Sequence, residues 1–363
     1  MSCSPILTLL RKKSSKQFNS KLNNNKGEYK MGYDQNGVLG GVTSGAFRVA
    51  PWHGLGESVN SKGEVVGLKT QISDSVRTGD ELLVTAGLNW QVEKRTLAEL
   101  GLTQENADKH AAIIRTDKQS ILGMHSNKYG TVQNEVLGQY TDVIMQARGD
   151  AQPVSAVELW GGQVIFLVIE FRDMVKVVRK DGDETDKMTR YMGLYTSHDG
   201  TYPLAVKYMS NLWVCQNTFT PWSAETGFTI RHTRNASDIA TAAIKSLEGM
   251  MTSFDQFDLE INRLLDIEAD KRVLTQRVIP AVIGSRPSDA GRSQTMYDTA
   301  WDGIVAEWNE KTRGETAFDA VMAVQGYEQH RSVVRNNSRD VAAIRRLLRD
   351  DFPLTAKAVS TFA

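Results

Sequence analysis

The hydrophobic pattern of this chain changes its period once, near Asn235, and that change limits the folds that the chain can adopt. Before Asn235, short β-rich runs such as Gln163 to Phe171 end at turn signals such as Asp181-Gly182-Asp183. Strands joined by turns of this kind pair in an antiparallel arrangement. After it, apolar residues recur at helical spacing, as Ala243 and Leu247 do. The sequence therefore predicts an α+β fold: an antiparallel-rich strand body followed by an all-helical C-terminal region.

The same pattern predicts the individual elements. Strands are expected at 111–115, 121–125, 154–160, 163–171, 174–179, 191–197, 205–214 and 228–232. Helices are expected at 134–147, 238–254, 257–267, 271–279, 293–310, 317–333 and 339–348, with a short final helix from Pro353. Residues 31–60 are rich in glycine, which predicts loops and turns in that segment.

Residues 1–30 differ from the rest of the chain in composition. They contain seven basic residues and one acidic residue, and they are rich in Asn and Ser. A segment with so few apolar side chains is expected to be a disordered basic tail. Alternatively, Lys26-Gly27-Glu28 can be encoded by a bacterial ribosome-binding sequence placed just before Met31, and residues 1–30 would then be upstream DNA read as protein. The expected domains are therefore this tail or extension, an α+β body at 31–235 and a helical region at 236–363.

Composition excludes several classes of protein. Hydrophobic residues make up 40% of the chain, enough for a core, but no apolar run approaches the roughly 20 residues that a membrane span needs. Cys3 and Cys215 are far apart and belong to no CxxC motif, so neither a zinc site nor a disulfide framework is expected. The phosphate-binding motifs GxGxxG and GxxxxGK are absent. We therefore expect a cytoplasmic protein with no membrane contact, metal or cofactor.

The net charge of the chain says little about whether it binds nucleic acid. Basic and acidic residues balance at 43 each, but without residues 1–30 the remainder is mildly acidic. The overall charge therefore does not attract the protein to nucleic acid, and binding to DNA would need a local basic patch.

Three histidines are candidates for a catalytic base or a metal ligand. His53 lies beside Trp52 in the Gly-rich loop, where the pair either contacts a ligand or closes one end of the core. His198 and His232 each end a predicted strand, and His198 precedes an Asp-Gly pair typical of turns. No HxH or HExxH spacing or paired-carboxylate spacing supports a metal. We therefore predict no catalytic residue, and an enzyme is the less favoured class.

The most basic part of the folded sequence is C-terminal. Arginine suits bidentate contacts with phosphate groups, so these residues either bind nucleic acid or form a solvated helix face with i,i+4 ion pairs. The arginines concerned are Arg331, Arg335, Arg339, Arg345 and Arg346. Tyr297, Trp301 and Trp308 recur at helical spacing, which favours a core position over a platform for bases.

Six segments occur together and in a definite order. They are 51–56 (PWHGLG), 86–95 (AGLNWQVEKR), 129–134 (YGTVQN), 196–200 (TSHDG), 214–218 (VCQNT) and 316–330 (TAFDAVMAVQGYEQH). Over roughly Ala50 to His330 the chain resembles the phage/plasmid-like protein family, called domain of unknown function 932. The resemblance implies a gene carried by phages, plasmids and integrated elements, and it assigns no activity. The family-motif residues are Gly54, Gly56, Tyr129, Asn134, His198, Asp199, Cys215 and Asn217.

Two hypotheses about function follow. The first is a phage- or plasmid-type DNA-metabolism accessory protein that binds or anneals single-stranded DNA and forms a homo-oligomer. It would contact phosphates through the C-terminal arginines and bases through Trp52, His53 and Trp90. The second is a host-takeover or anti-defence protein that binds a protein partner or a small ligand. The position of electropositive surface in a structure distinguishes them best.

Overall fold

The computed structural model describes residues 32–33, 39–40, 56–103, 105–177, 186–212, 218–219, 227–250, 254–311, 314–334, 338–349 and 352–363. Its strands are β1 (Gly32–Tyr33), β2 (Leu39–Gly40), β3 (Gly56–Val59), β4 (Val65–Gln71), β5 (Val92–Thr96), β6 (His110–Arg115), β7 (Ser120–Ser126), β8 (Ala151–Leu159), β9 (Val164–Val177), β10 (Asp186–Ser197), β11 (Leu204–Leu212), β12 (Thr218–Phe219) and β13 (Gly227–Ile230). Every pairing between these strands is antiparallel, and helices follow them, so the predicted α+β class is confirmed.

A large sheet organises the strand body. Its order is β12-β11-β10-β9-β8-β4-β3, and β13 pairs with β11 beside β12. The longest ladder joins β9 to β10, with Val168 opposite Gly193 near its centre. Successive residues of β9 point to opposite faces of the sheet, and over residues 164–169 both sets are apolar and buried. A sheet buried on both faces needs a covering layer on each side.

Helices supply both layers. The described helices are α1 (Gly79–Thr85), α2 (Asn134–Ala147), α3 (Ala236–Met250), α4 (Phe254–Asp266), α5 (Lys271–Val273), α6 (Ile279–Ile283), α7 (Arg292–Lys311), α8 (Ala317–Gly326), α9 (Arg339–Arg349) and α10 (Pro353–Ser360). One face of β9, with Leu167 and Ile169, shares its core with Leu137 and Tyr140 of α2. The apolar side of α9 packs with the opposite face, through Val341, Ile344, Leu347 and Leu348.

The C-terminal helices pack around α8. Every residue of Ala317–Gly326 is buried; most are alanine, valine, phenylalanine or methionine, and Asp319 and Gln325 are the two polar side chains. A capping box fixes its start, because the Thr316 hydroxyl accepts from the Asp319 backbone while the Asp319 carboxylate accepts from the backbone N–H of Thr316. Helices α4, α7 and α10 all contact α8. Trp308 of α7 is buried there, as its helical spacing predicts.

A separate three-stranded sheet, in the order β5-β6-β7, precedes α2 in the chain. Strand β7 forms one edge of it and ends at Ser126, close to several groups of the candidate site. The glycine-rich segment was expected to form loops, but within it Gly56 begins β3, so the prediction was wrong there. Strands β4 and β5 were not predicted. None of the helices within the described residues is both long and apolar enough to cross a membrane.

Most predicted helices and strands agree with the structure to within a few residues. Helix α2 has the predicted bounds, and the strands predicted at 163–171 and 174–179 form the single strand β9. The predicted helix at 271–279 is longer and contains a π-helical segment, Leu274–Val278, between α5 and α6. A second π-helical segment, Tyr327–Arg331, extends α8.

Candidate functional site

Three of the family segments meet at the start of α2. The Asn134 side chain donates from Nδ2 to the Leu88 carbonyl at 3.0 Å and to the Trp90 carbonyl at 3.4 Å. Its Oδ1 lies 3.0 Å from Nε2 of His198. Because the Asn134 amide nitrogen is used as a donor, its oxygen must accept, and the proton of His198 is therefore on Nε2. Asn134 thus ties the turn before β5 to the loop after β10.

His198 is a buried neutral imidazole. Its side chain is 1% exposed, and burial, reinforced by the neighbouring charges of His232 and Arg115, lowers its pKa to about 3. A base with so low a pKa stays neutral at physiological pH. His198 is therefore part of the interior and does not carry charge to a ligand.

Trp90 belongs to the same interior. Its side chain is 6% exposed, and the guanidinium of Arg115 lies 4.1 Å from the centre of its ring. Arg115 is itself buried and donates to Glu158 and to the Gly161 carbonyl, both at 3.0 Å. A cation held over an indole face and paired with carboxylates links the small sheet to the large one. The indole face is covered by Arg115, so Trp90 offers no open surface on which a base could stack.

A row of three near-parallel rings borders this interior; we call it the ring row. His125 at the end of β7 stacks on Tyr129 with ring centres 4.0 Å apart, and Tyr129 stacks on His232 at 5.0 Å. The Tyr129 hydroxyl donates to the Ser197 carbonyl at 3.0 Å, and burial raises the pKa of its phenol. The row therefore consists of one un-ionised tyrosine between two imidazoles.

Glycines make room for His125. A Cβ atom on Gly200 would lie 2.6 Å from Cε1 of His125, and Gly200 has a φ of +73°, which side chains with a Cβ rarely adopt. A Cβ on Gly123 would lie 2.8 Å from Nε2 of His125. That Nε2 atom is buried and has no hydrogen-bond partner in the part of the chain that the structure describes. The site thus holds an imidazole nitrogen whose bonding capacity is unused.

The ring row lines an open pocket of about 610 Å³. Its lining residues are His125, Ser126, Lys128, Tyr129, His232, Thr233, Arg234 and Asn235. Lys128 and Arg234 are exposed cations, and neither has a carboxylate partner among the ion pairs of the described residues. Helix α3 begins at Ala236, directly after the pocket, and its N-terminal end adds partial positive charge. The pocket therefore combines aromatic rings with positive charge.

The pocket does not resemble a metal centre. No group of three or more His, Cys, Asp or Glu side chains suited to a metal ion occurs among the described residues. Asp199 points its carboxylate back to Thr201, accepting from the Thr201 backbone at 2.9 Å and from its hydroxyl at 2.5 Å. This is the turn chemistry expected of the Asp-Gly pair.

The C-terminal arginines make internal contacts wherever the structure describes them. Arg331 pairs with Glu307 and Glu310, and Arg339 donates to the carbonyls of His330 and Ser332. Arg346 donates to the Glu328 carbonyl and the Ser332 hydroxyl, and Arg345 lies 5.2 Å from the Trp160 ring. Phosphate binding by these arginines stays a prediction, and it would compete with the contacts above.

Several residues singled out in the sequence lie outside the described residues. They are Trp52, His53, Gly54, Cys215, Asn217 and Arg335. Of the other family-motif residues, Tyr129, Asn134 and His198 come together around the site, whereas Gly56 begins the edge strand β3.

Sequence reasoning missed His125, Lys128, Arg234 and Arg115. Lys128 precedes the motif residue Tyr129 and Arg234 lies two residues after His232, but nothing local distinguishes these two cations from ordinary surface residues. The usable signal was the alternation of Gly123 and His125 along β7, which places a glycine next to an imidazole on one face.

Comparison with known proteins identifies one family. A family model described as Domain of unknown function (DUF932) matches residues 121–348, more than half of the chain. No curated protein and no solved structure matches. The match includes the pocket and the ring row.

Proposed function

The chain belongs to the family described as Domain of unknown function (DUF932), and from that premise we propose that it binds single-stranded DNA at the ring-row pocket as a DNA-metabolism accessory protein. The observation that carries the proposal is the pocket itself, in which His125, Tyr129 and His232 lie beside Lys128 and Arg234. Proteins that bind single strands without sequence preference use this combination of flat rings and cations.

Size and openness support a strand as the ligand. A volume of about 610 Å³ falls within the roughly 300–1,000 Å³ of small-ligand pockets, so it accommodates a nucleotide unit. The lining side chains at Ser126, Lys128 and Arg234 are exposed, which leaves the pocket open for a chain to enter and leave. Bases would stack against the rings while the cations contact phosphates. The resemblance to phage and plasmid proteins favours DNA in recombination or replication.

The test is a titration of a labelled oligothymidylate by fluorescence anisotropy between about 50 and 200 mM salt. Each phosphate neutralised on a single strand contributes roughly −0.7 to the slope of log affinity on log salt. The double variant Lys128→Gln/Arg234→Gln should therefore bind more weakly, with a slope flatter by about 1.4. The matched control is Lys62→Gln/Arg272→Gln, which removes two exposed cations outside the pocket and should leave the slope nearly unchanged.

Two results would contradict the proposal. If the double variant has the slope of the unmodified protein, the pocket is not the DNA site. If the unmodified protein does not bind at 50 mM salt, the alternative of a host-takeover or anti-defence protein that binds a partner or small ligand takes first place. Strand annealing further requires several copies to assemble, and light scattering on the same samples would report a homo-oligomer.

A further inference from the structure

We propose that the pocket takes up a proton when it binds a phosphodiester, with the imidazole of His232 as the acceptor, so that DNA binding tightens as pH falls. This inference rests on the proposed function, because it concerns the same pocket. It adds a regulatory property that binding through Lys128 and Arg234 alone would not have.

Hydrogen bonding makes His232 able to exist in both protonation states. Its Nδ1 lies 3.1 Å from the Gly130 carbonyl, which can only accept, so Nδ1 carries a proton. Its Nε2 lies 3.4 Å from the Thr196 hydroxyl. In the neutral imidazole this hydroxyl donates to Nε2. When Nε2 gains a proton, the hydroxyl rotates and accepts from it. Protonation therefore breaks no hydrogen bond at either nitrogen.

Burial is the main reason why His232 is neutral in the free protein. Burial lowers its pKa, and His125 lowers it further. The hydrogen bonds to the backbones of Gly130 and Tyr202 and the charge of Asp199 raise it, but the net shift is downward. Three elements contribute the charged or titratable groups nearby. The end of β7 and the loop after it contribute His125, Lys128 and Tyr129, and the loop after β10 contributes His198 and Asp199. The segment before α3 contributes Arg231 and Arg234, on either side of His232. Asp199 is the single acid of this set, which also holds one lysine and two arginines, so a further positive charge on His232 is disfavoured without a bound anion.

A bound phosphodiester reverses this balance. Its negative charge offsets Lys128 and Arg234 and attracts a proton from solvent to Nε2 of His232. The balance of the step is simple: a neutral imidazole, a solvent proton and the phosphodiester give an imidazolium in the complex. One N–H bond forms and no other covalent bond changes. Since binding takes up a proton, affinity must rise as pH falls.

Isothermal calorimetry tests this with an oligothymidylate at pH 7 in two buffers that differ in their enthalpy of ionisation, Hepes and Tris. The difference in binding enthalpy gives the number of protons taken up, which we expect to be between zero and one per site and clearly above zero. Affinity should rise between pH 8 and pH 6, by at most tenfold per pH unit for one proton. His232→Gln removes one ring of the row, so it should bind more weakly, and the binding that remains should lose most of the proton uptake; His110→Gln, an exposed histidine outside the pocket, should keep both affinity and uptake.

Each other outcome has a definite meaning. Binding without proton uptake, or uptake that survives in His232→Gln, overturns this inference and leaves the proposed function standing. Absence of binding by the unmodified protein at low salt overturns both. If His232→Gln does not fold, nuclear magnetic resonance of ¹³C-labelled histidine in the unmodified protein replaces it, and a titration of His232 that is unaffected by the oligonucleotide overturns the inference. Thymidine monophosphate and inorganic phosphate, run in parallel, show whether a single phosphate is enough to cause the uptake.

Discussion

Glu170 shows what burial does to a single residue of the large sheet. It lies on β9, opposite Tyr191 of β10 and Gln152 of β8, and its side chain is 3% exposed. Burial raises its pKa to about 7, although a hydrogen bond with Tyr191 and the charge of Arg172 oppose the rise. The interior thus favours the protonated acid.

This gives a prediction for stability against pH. In the unfolded chain Glu170 has an ordinary pKa near 4.5, so between pH 4.5 and 7 the folded protein binds the proton more tightly. The stabilisation is complete below pH 4.5, declines as pH rises and is gone above about 7, a change of about 3 kcal/mol in the free energy of unfolding. Glu170→Gln, which is neutral at every pH, should flatten that part of the profile.

Urea unfolding at several pH values would measure how the free energy of unfolding changes with pH. The control is Glu57→Gln, an exposed carboxylate of β3, which should retain the original profile. A Glu170→Gln protein whose stability still falls between pH 4.5 and 7 as in the unmodified protein would show that another group is responsible.

Individual residues were predictable where their neighbours in sequence decide their surroundings. The helical spacing of Trp308 predicts a core position, and Trp308 is buried. The glycine after Asp199 predicts a turn, and the Asp199 carboxylate accepts a turn hydrogen bond from the Thr201 backbone. The partnership of Asn134 with His198 was not predictable, because the two residues are far apart in sequence and only the fold joins them. The same holds for Arg115 and Trp90, whose contact depends on how the small sheet meets the large one.

Among the elements, α9 is attached to the large sheet by specific polar contacts. At its N-terminal end the Asp340 carboxylate accepts from Lys69 at 2.7 Å and from the hydroxyls of Ser58 and Ser338. Lys69 belongs to β4 and Ser58 to β3, so this carboxylate fastens the helix to the edge of the large sheet. Burial raises the pKa of Asp340, but the three donors outweigh it and lower the pKa to about 2.

Asp340→Asn should loosen this attachment. The stabilisation by the Asp340 carboxylate is complete above the ordinary pKa of 3.8 and is lost as pH falls towards 2. The variant should therefore be less stable by about 2 kcal/mol at pH 7 and nearly equal to the unmodified protein near pH 2. Denaturant titrations at the two pH values check this, with Asp302→Asn on an exposed position of α7 as the control. Equal losses at both pH values would mean that the charge is unimportant.

Helices were easier to predict than strands for a physical reason. A helix closes its hydrogen bonds locally, so apolar residues at helical spacing define it, as for α2 and α9. Strands β4 and β5 lacked such signals. In β4, Gly67 interrupts the pattern because a Cβ there would lie 3.0 Å from Leu159 and 3.1 Å from Val341. Strand β5 is largely charged or polar, and its pairing with β6 is what makes it a strand.

For the whole molecule, the important fact is that the predicted boundary near residue 235 does not separate two independent cores. Helix α9 belongs to the helical region in sequence, yet its apolar side chains share a core with Val157, Phe166 and Tyr195 of the large sheet. The Tyr195 hydroxyl also donates to the Leu348 carbonyl at 3.0 Å. The sequence located the change of pattern, but it held no sign that one late helix packs back on the strands.

A fragment comprising residues 31–235 should therefore fail to fold cooperatively. Without α9 one apolar face of the large sheet is exposed to water, which is unfavourable by roughly 25 cal/mol per Å². We expect the fragment to show a broad denaturant transition and to bind the dye ANS strongly. When a separate 236–363 fragment is added, the transition should sharpen and the dye binding should fall. A sharp transition in the 31–235 fragment alone would show that the strand body is an autonomous domain.

The late position of α9 also has a consequence for biosynthesis. The strands that it covers are complete at Leu212, but α9 follows more than a hundred residues later. At about 5–20 residues per second, the ribosome needs roughly 6 to 25 seconds to make the intervening chain. Throughout that interval one hydrophobic face of the nascent sheet is exposed to water. Chaperones bind surfaces of this kind, and neighbouring nascent chains aggregate through them. This face of the sheet therefore cannot be covered before α9 has been synthesised, and chains truncated before α9 would keep it exposed.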